Sequence, residues 1–427
     1  MRIILPGFLL LVFSTVFAKN HTDSLKRIVN PEENGGIIKV SRGFAISPVL
    51  EKLGRNRHIT VAPNGDLVVK LDRLRSGKGI FQLRANKNGA YEPVDSFGNF
   101  TGTGILVKNG FLYASGDDAV YRYPMGKDGS IQNKENPQRI VYGLWSRRQH
   151  ASKSIALDNA GNIYVNIGAP SNACQERDRT KDSWGMDPCP ILDSAGGIWR
   201  FRADISDQSY AQGYRFATGL RNVVGLDWND GENALYVVMH GRDMLSTLYP
   251  QMFSDSLSAE LPGEEMFRLK EGGHYGWPYC YYDPLQEKKV LAPEYGGDGK
   301  TIGRCAGVEQ PLMSFPGHWG PNAMLFYTGK QFPEKYRNGV FVAFHGSWNR
   351  APFRQAGYNV AFVPMKNGSP SGPWEIFAEG FTGKEVIMST GEAQYRPCGL
   401  AMLPDGSLLV SDSREGRVWK ISYVGER

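Results

Sequence analysis

The chain has 427 residues, of which 41% are hydrophobic and 22% are charged, a balance that predicts a packed core and excludes a wholly disordered protein. The formal net charge of +6 is spread along the whole length without a block of five consecutive basic residues, so we predict no nucleic-acid partner. The 51 glycines and 25 prolines, together with few long helical patterns, favour many short strands joined by turns.

The first 18 residues have the pattern of a secretory signal peptide. One basic residue precedes an apolar run, and Val16-Phe17-Ala18 provides a cleavage site before polar residues. The run is short for a membrane span, although an uncleaved anchor is the alternative, and no other apolar run is long enough to cross a bilayer. We therefore predict a secreted or periplasmic protein with no membrane span after signal cleavage, in which residues 19–427 form a single domain.

The five cysteines fit an exported protein, because disulfides persist in oxidising compartments. Cys174 and Cys189 flank a polar insertion, which predicts a disulfide that closes this loop. Cys280 and Cys305 flank a second irregular stretch and are expected to form another disulfide. Cys398 is left over and is expected to be a buried free thiol. The cysteine spacings do not match those of a zinc site.

A turn motif followed by alternating apolar and small residues recurs six times along the chain, at residues 64–69, 109–114, 160–165, 231–237, 337–342 and 405–410. At least four copies follow an apolar segment, so each unit has the pattern of a strand, a glycine-containing hairpin and a second strand. A third strand is expected after some copies, as at residues 119–123 and 417–421. Six such units predict an all-β fold, a six-bladed β-propeller with inserted loops. A β-sandwich or two barrels is the alternative.

Polar motifs lie beside the predicted strands, and in a propeller the comparable ends of repeated strands meet around one channel. The residues concerned are Arg57, His150, Arg221, Asn222, Gly241, Arg242, Asp243, His345, Arg350 and Arg396. Each one alone could be a surface charge, an ion-pair partner or a core residue. Apart from Asp243, however, these motifs contain few acids to pair with the arginines. Converging arginines without acidic partners predict an anionic ligand.

Five segments resemble the glucose/sorbosone dehydrogenase family: ATGLRNVVGL, HGRD, GGHYGWPYC, AFHGSWNR and YRPCGLAMLPDGSLLVSD. The similarity runs in the family's order from about Phe44 to Ser422, and the motifs are informative together rather than singly. Members are exported six-bladed propellers that use pyrroloquinoline quinone (PQQ) and calcium, and they include fungal pyranose dehydrogenase domains. The resemblance implies oxidation of the C1 hydroxyl of an aldose or pyranose by hydride transfer to PQQ. It also implies an external electron acceptor, such as a cytochrome or a dye.

The resemblance further implies roles for individual residues. His150 matches the general base, and Arg221 with Asn222 matches contacts to the quinone carbonyl and carboxylate groups, which makes Arg221 a second catalytic candidate. Backbone carbonyls of Gly241 and Arg242, with Asp243 assisting, match the turn that holds calcium, and this calcium would polarise the quinone. The stretch Gly263-Glu264-Glu265 stands where an acidic group behind the calcium site is expected. The remaining cofactor-binding candidates are Arg57, His345, Arg350 and Arg396.

Two other functions stay open from the sequence. A propeller without redox chemistry could bind a glycan or a protein partner, since the fold alone does not determine activity. A calcium-dependent lactonase would need carboxylate and asparagine metal ligands from several blades. The combination of His150 with Arg221 and Asn222 argues against the first alternative, and the arginine-rich channel mouth argues against the second.

Overall fold

The computed structural model describes residues 25–27, 38–146 and 149–425. The predicted signal peptide lies outside these residues. Strands dominate the described chain, and its α-helices, α1 Leu245–Leu248 and α2 Asp255–Glu260, are short. Neither is long and apolar enough to cross a membrane. Short 3-10 helices occur at Pro190–Asp193, Tyr210–Gln212, Pro293–Tyr295, Gly303–Gly307, Glu334–Tyr336, Trp348–Arg350 and Thr390–Glu392.

The strands group into six antiparallel sheets, called blades 1 to 6. The first three strands of the chain are β1 Leu25–Arg27, β2 Lys39–Ser41 and β3 Phe44–Leu50. Blade 1 contains β4 Asn56–Val61, β5 Leu67–Arg75, β6 Lys78–Ala85 and β7 Tyr91–Phe97. Blade 2 contains β8 Ile105–Lys108, β9 Phe111–Ser115, β10 Ala119–Pro124 and β11 Gln138–Tyr142. Blade 3 contains β12 Ile155–Leu157, β13 Asn162–Ile167, β14 Gly197–Arg202 and, after the short β15 Gln208–Ser209 beside β11, β16 Tyr214–Thr218.

The second half of the chain supplies the other three blades. Blade 4 contains β17 Val223–Asn229, β18 Ala234–Met239, β19 Glu264–Arg268 and β23 Met313–Phe315. Between β19 and β23 lie β20 Gly273–His274, β21 Cys280–Asp283 and β22 Lys288–Leu291. Blade 5 contains β24 Pro321–Phe326, β25 Val340–Phe344, β26 Asn359–Val363 and, after the small hairpin of β27 Met365–Lys366 and β28 Ser369–Pro370, β29 Glu375–Glu379. Blade 6 contains β30 Pro397–Met402, β31 Leu408–Asp412, β32 Val418–Tyr423 and β3.

The blades form a ring, which confirms the predicted six-bladed β-propeller. The innermost strands β4, β8, β12, β17, β24 and β30 contact one another in that order, and β30 returns to β4. The ring closes because β3, from the start of the chain, pairs with the last strand β32, with Phe44 opposite Tyr423. The repeat pattern did not predict this closure, since it joins residues from opposite ends of the sequence.

The six sequence repeats correspond to the inner hairpins of the six blades, as predicted. Each copy contains the turn before, or the start of, the second strand of its blade. Glycine is needed in these turns because the chain adopts a positive φ there, 87° at Gly65 and 84° at Gly406. The sequence thus determines the blades locally, one hairpin at a time.

Apolar side chains from facing blades pack between the sheets. The contact between blades 5 and 6, for example, buries Phe44, Phe341, Phe377 and Trp419 completely. Both predicted disulfides are present, Cys174 with Cys189 and Cys280 with Cys305, and Cys398 is free and buried. The two disulfides pack together with Trp277 in one apolar cluster, so the inserted loops of blades 3 and 4 have a small core of their own.

Candidate functional site

The predicted site residues gather at one end of the central channel. Arg57 is the second residue of β4, Asn222 directly precedes β17, and Arg396 directly precedes β30. These strands are the innermost strands of their blades, so their starts meet around the channel axis. His345 follows β25, which runs antiparallel to β24 and therefore ends on the same side. The charges of Arg57 and Arg396 both lower the pKa of His345, so the three side chains lie close together, and the space between them at this end of the channel is called the cavity.

His150 is held in a defined tautomer beside this cavity. Its Nδ1 lies 2.6 Å from the carbonyl oxygen of Ala169, so Nδ1 carries the proton and donates it. The other nitrogen, Nε2, is then the basic one. Burial and the nearby Arg221 charge lower the pKa of His150 to about 3, so the ring is neutral at ordinary pH.

Gly168 shows how closely His150 and Asn222 approach. A Cβ atom at Gly168 would lie 2.6 Å from the Cβ of His150 and 3.0 Å from Oδ1 of Asn222. Only glycine allows the backbone to pass at this distance. Oδ1 of Asn222 is itself buried and has no hydrogen-bond partner among the described residues. His150 therefore offers one basic nitrogen, and its neighbour Asn222 offers one unpaired amide oxygen.

Asp243 is the centre of a buried hydrogen-bond network. Its Oδ2 accepts from Arg221 and from Arg179, each at 2.7 Å, and its Oδ1 accepts from Asn349 Nδ2 at 2.5 Å. Burial alone would raise the pKa of Asp243, but Arg221 and Arg179 hold it well below its usual value. Arg221 also donates to Asn172 and to the carbonyl of Gly241 at 2.8 Å. Arg221 therefore positions the turn that begins at Gly241.

A buried acid supports the same turn from the other side. Glu264 accepts from the backbone N–H groups of Gly241 at 2.7 Å and Gly320 at 3.0 Å, and burial raises its pKa to about 7. The Arg242 side chain points to Glu294, with which it forms a buried ion pair. The Arg242 side chain is therefore occupied by this ion pair, and a role of its backbone carbonyl in holding calcium stays a prediction. The described part of the chain contains no group of three His, Cys, Asp or Glu side chains suited to a metal ion.

Arg57 and Arg396 are cations without acidic partners. Arg57 donates to the hydroxyls of Thr103 at 3.2 Å and Ser152 at 3.1 Å. Arg396 donates to the carbonyls of His345 and Gly346, each at 2.9 Å. Within the described ranges, neither guanidinium has a carboxylate within 4.0 Å. His345 adds no charge, because burial and the nearby arginines lower its pKa well below the ordinary value. Two guanidinium groups without a paired carboxylate favour an anionic ligand here.

Arg350 does not join this group. Its guanidinium donates to the carbonyls of Ala259 at 2.8 Å and Gly317 at 3.0 Å, and it pairs with Glu260 at the end of α2. These three partners satisfy the buried guanidinium of Arg350 and connect the loop after β25 to α2. Arg350 is therefore not a candidate cofactor contact.

Several residues of the site were not among the predicted ones. His240 and Asn349 lie within the quoted motifs HGRD and AFHGSWNR, so the sequence contained a signal for them. Burial lowers the pKa of His240 to about 4, and its Nε2 donates to the Pro321 carbonyl at 2.8 Å. Arg179 comes from the loop closed by Cys174 and Cys189, and no motif marked it. Only the folded loop shows that Arg179 reaches Asp243.

The fold and this end of the channel define a class: a six-bladed propeller with a cluster of arginine side chains and a neutral histidine at one end of its channel. The model of the TrAA12-like family matches residues 38–424, and the chain belongs to that family.

Two relatives illustrate the range of the family's neighbours. A pyrroloquinoline quinone-dependent pyranose dehydrogenase of Coprinopsis cinerea is 24% identical over 429 residues, covering 91% of this chain and 55% of the relative. An uncharacterized protein of Borreliella burgdorferi is 25% identical over 210 residues, 48% of each chain. This chain thus spans about half the length of the curated relatives it matches.

Solved structures share the fold. The holo form of the pyranose dehydrogenase PQQ domain from Coprinopsis cinerea superposes with a TM-score of 0.71 at 21% identity, covering 90% of this chain and 97% of that one. The calcium structure of the family AA12 enzyme from Trichoderma reesei gives a TM-score of 0.72 at 18% identity, with 94% and 99% coverage. A PQQ-bound aldose sugar dehydrogenase from Streptomyces coelicolor gives 0.55 at 17% identity, with 90% and 99% coverage.

Proposed function

We propose that this protein is a PQQ- and calcium-dependent dehydrogenase of an aldose or pyranose. The observation that carries the proposal is the pair of partly buried arginines, Arg57 and Arg396, which lack acidic partners at the cavity that contains neutral His150. Relatives named for PQQ-dependent sugar oxidation support it. The C. cinerea relative is about twice as long as this chain, so its activity is proposed here and not transferred.

The residues of the cavity fit the chemistry of PQQ. Its carboxylates would be bound by Arg57 and Arg396, and a donor group on its edge would meet the unpaired Oδ1 of Asn222. When bound, PQQ supplies the oxidant that takes the hydride from sugar C1. Arg221 would act mainly through Asp243 and the carbonyl of Gly241, since most of its donors are already used.

His150 performs the proton transfer in this proposal. Nε2 accepts the proton of the C1 hydroxyl as the C1 hydrogen leaves with its electron pair, and the sugar becomes a lactone. The bond from Nδ1 to the Ala169 carbonyl stabilises the ring once Nε2 is protonated, because that carbonyl favours a cationic donor. An external acceptor would then take up the two electrons that left C1 with the hydrogen, and the two protons would pass to that acceptor or to solvent.

Calcium has few protein ligands in this arrangement. The available oxygens are the carbonyls of Gly241 and Arg242 and the carboxylate of Asp243, which already accepts from two arginines and Asn349. Calcium takes about six to eight oxygen ligands. A calcium ion here would therefore need further oxygens from the cofactor and from water. Export of the protein is proposed from the signal-peptide pattern alone.

The test is reconstitution. Purified protein is incubated with PQQ and calcium, and reduction of an artificial dye is followed with a panel of aldoses and pyranoses. Sugar-dependent dye reduction that requires PQQ supports the proposal. Failure to take up PQQ overturns it, and tight PQQ uptake without turnover on any sugar favours a propeller that binds ligands without catalysis.

A further inference from the structure

Two tryptophan side chains, on loops that reach Asp243, are unusually exposed. Trp184 is 67% exposed and Trp348 is 55% exposed, more than any other aromatic side chain that the structure describes. Trp199, Trp277 and Trp419, by contrast, are at most 4% exposed. A single exposed apolar side chain is ordinary on a protein surface. The position of these two is what requires an explanation.

Both tryptophans belong to loops that contact Asp243. Trp348 directly precedes Asn349, whose Nδ2 donates to Oδ1 of Asp243 at 2.5 Å. Trp184 lies five positions after Arg179, whose guanidinium donates to Oδ2 of the same carboxylate at 2.7 Å. The two loops therefore approach the candidate site from different blades and meet at one side chain.

The loop that carries Trp184 is rigid. The disulfide between Cys174 and Cys189 closes it, and the carbonyl of Trp184 accepts from the N–H of Glu176 at 3.0 Å. The Gln175 side chain donates to the carbonyls of Thr180 at 2.9 Å and Ser183 at 3.0 Å. A ring held by such a loop can bind a ligand without a large ordering cost.

The loop that carries Trp348 is fixed in a different way. Ser347 caps its short helix by accepting from the N–H of Asn349 at 3.4 Å. Arg350, the next residue, is anchored to the carbonyls of Ala259 and Gly317. The backbone on both sides of Trp348 is therefore held in place, while the indole itself stays in solvent.

The side chains around Asp243 are polar and include both donors and acceptors of hydrogen bonds. Gln149 donates to Asp178 at 2.8 Å, and Arg179 and Asn349 each donate to Asp243. Flat apolar rings next to such polar side chains suit a pyranose unit, which has C–H groups on its faces and hydroxyls around its edge. The exposed indoles therefore match the chemistry of a sugar better than that of a purely apolar ligand.

We propose that Trp184 and Trp348 are outer sugar-binding platforms, which hold further units of an oligosaccharide whose reducing end lies in the cavity. The inference rests on the proposed function, because only the reducing-end unit has the free C1 hydroxyl that is oxidised. The other units are attached through other hydroxyls and extend away from C1. They pass from the cavity towards its rim, where the two tryptophans lie.

Calorimetric titration of the PQQ-free protein tests this proposal without any turnover. The probes are glucose, cellotetraose and maltotetraose, and the two tetrasaccharides distinguish β-linked from α-linked chains. We expect at least one tetrasaccharide to bind about tenfold more tightly than glucose. Trp184→Ala and Trp348→Ala should each remove most of that gain, whereas Trp184→Phe and Trp348→Phe should retain it. Tyr214→Ala, a change at an aromatic side chain that is 46% exposed on β16, is the matched control and should bind like the wild type.

The outcomes separate this inference from the proposed function. Tetrasaccharides that bind no better than glucose, or alanine variants that bind like the wild type, overturn the platforms even if glucose is oxidised after reconstitution. Preferential tetrasaccharide binding that depends on both tryptophans supports the platforms even if the reconstituted protein reduces no dye.

Discussion

Nδ1 of His150 donates to the carbonyl of Ala169 at 2.6 Å, and this bond leaves Nε2 as the basic nitrogen of the ring. The bond also fixes the plane of the imidazole, because the backbone at Ala169 is itself held in place. The N–H of Ala169 donates to the backbone carbonyl of Arg221. A base held in one tautomer and one orientation loses little entropy when it accepts a proton.

Replacing His150 by Ala should separate binding from catalysis. The variant removes the base but leaves Arg57 and Arg396, so PQQ should still bind with nearly unchanged affinity. Turnover should fall by about 10²-fold or more, the usual contribution of a positioned base. Absorbance titration with PQQ and dye reduction measure the two quantities on the same sample. A parallel loss of PQQ binding would show that His150 has a structural role instead.

The pH dependence of kcat/KM should reflect the lowered pKa of His150. The base acts in its neutral form, and with a pKa of about 3 it stays neutral as pH falls until about that value. A histidine with its ordinary pKa would be only about 3% neutral at pH 5. We therefore expect kcat/KM to keep its plateau value at pH 5, over a range where circular dichroism shows the fold intact.

Glu264 requires a control in that experiment. Burial raises its pKa to about 7, so its charge changes within the range studied, and it supports the turn at Gly241. The pH profile is therefore measured at saturating PQQ and calcium, so that a change in cofactor binding does not alter it. Loss of activity with a midpoint near 6.5 that persists at saturation would contradict the account of His150.

Arg57→Ala and Arg396→Ala should each weaken PQQ binding. Each variant removes a guanidinium that has no acidic partner in the described structure, so a carboxylate of the cofactor loses a charged hydrogen bond worth about 1.5–3 kcal/mol. This corresponds to about 10- to 150-fold in Kd. Arg55→Ala is the matched control, since Arg55 is exposed and lies two positions before Arg57. If Arg57→Ala and Arg396→Ala bind PQQ with the same Kd as the control Arg55→Ala, PQQ binds elsewhere.

Gly168→Ala should disturb the catalytic pair without a change at either of its members. The added Cβ would lie 2.6 Å from the Cβ of His150, a distance that forces one of the two segments to move. A displacement of about 1 Å at a reacting group can cost about 10²-fold in rate. Gly307→Ala is the control, because no atom lies within 4 Å of the added Cβ there. Wild-type turnover in Gly168→Ala would show that the position of His150 is not critical.

Calcium binding should depend on PQQ. The protein oxygens near Gly241 are too few to complete a calcium site, and the Asp243 charge is balanced by Arg179 and Arg221. Calorimetry should detect no calcium binding to PQQ-free protein and clear binding once PQQ is present. Tight calcium binding without PQQ would point to a separate metal site.

The sequence predicted the blades because each inner hairpin is a local feature, with its turn and both strands within about twenty residues. It could not predict that β3 completes blade 6, since Phe44 and Tyr423 are paired only in the folded ring. The same limit applies to side chains of the site. Arg350 stands in a motif with His345, yet its partners Ala259 and Gly317 are chosen by tertiary packing. Arg179 reaches Asp243 only because its loop folds back over the channel mouth.

The most direct test of the proposed chemistry is a single-turnover experiment with protein reconstituted with PQQ and calcium. Reduction of the bound quinone is followed by its absorbance after mixing with a sugar that carries either hydrogen or deuterium at C1. The account predicts that the quinone is reduced, that deuterium slows this phase, and that His150→Ala slows it further without releasing PQQ. A bound quinone that no sugar reduces, or a reduction rate that neither deuterium nor the loss of His150 affects, would contradict it.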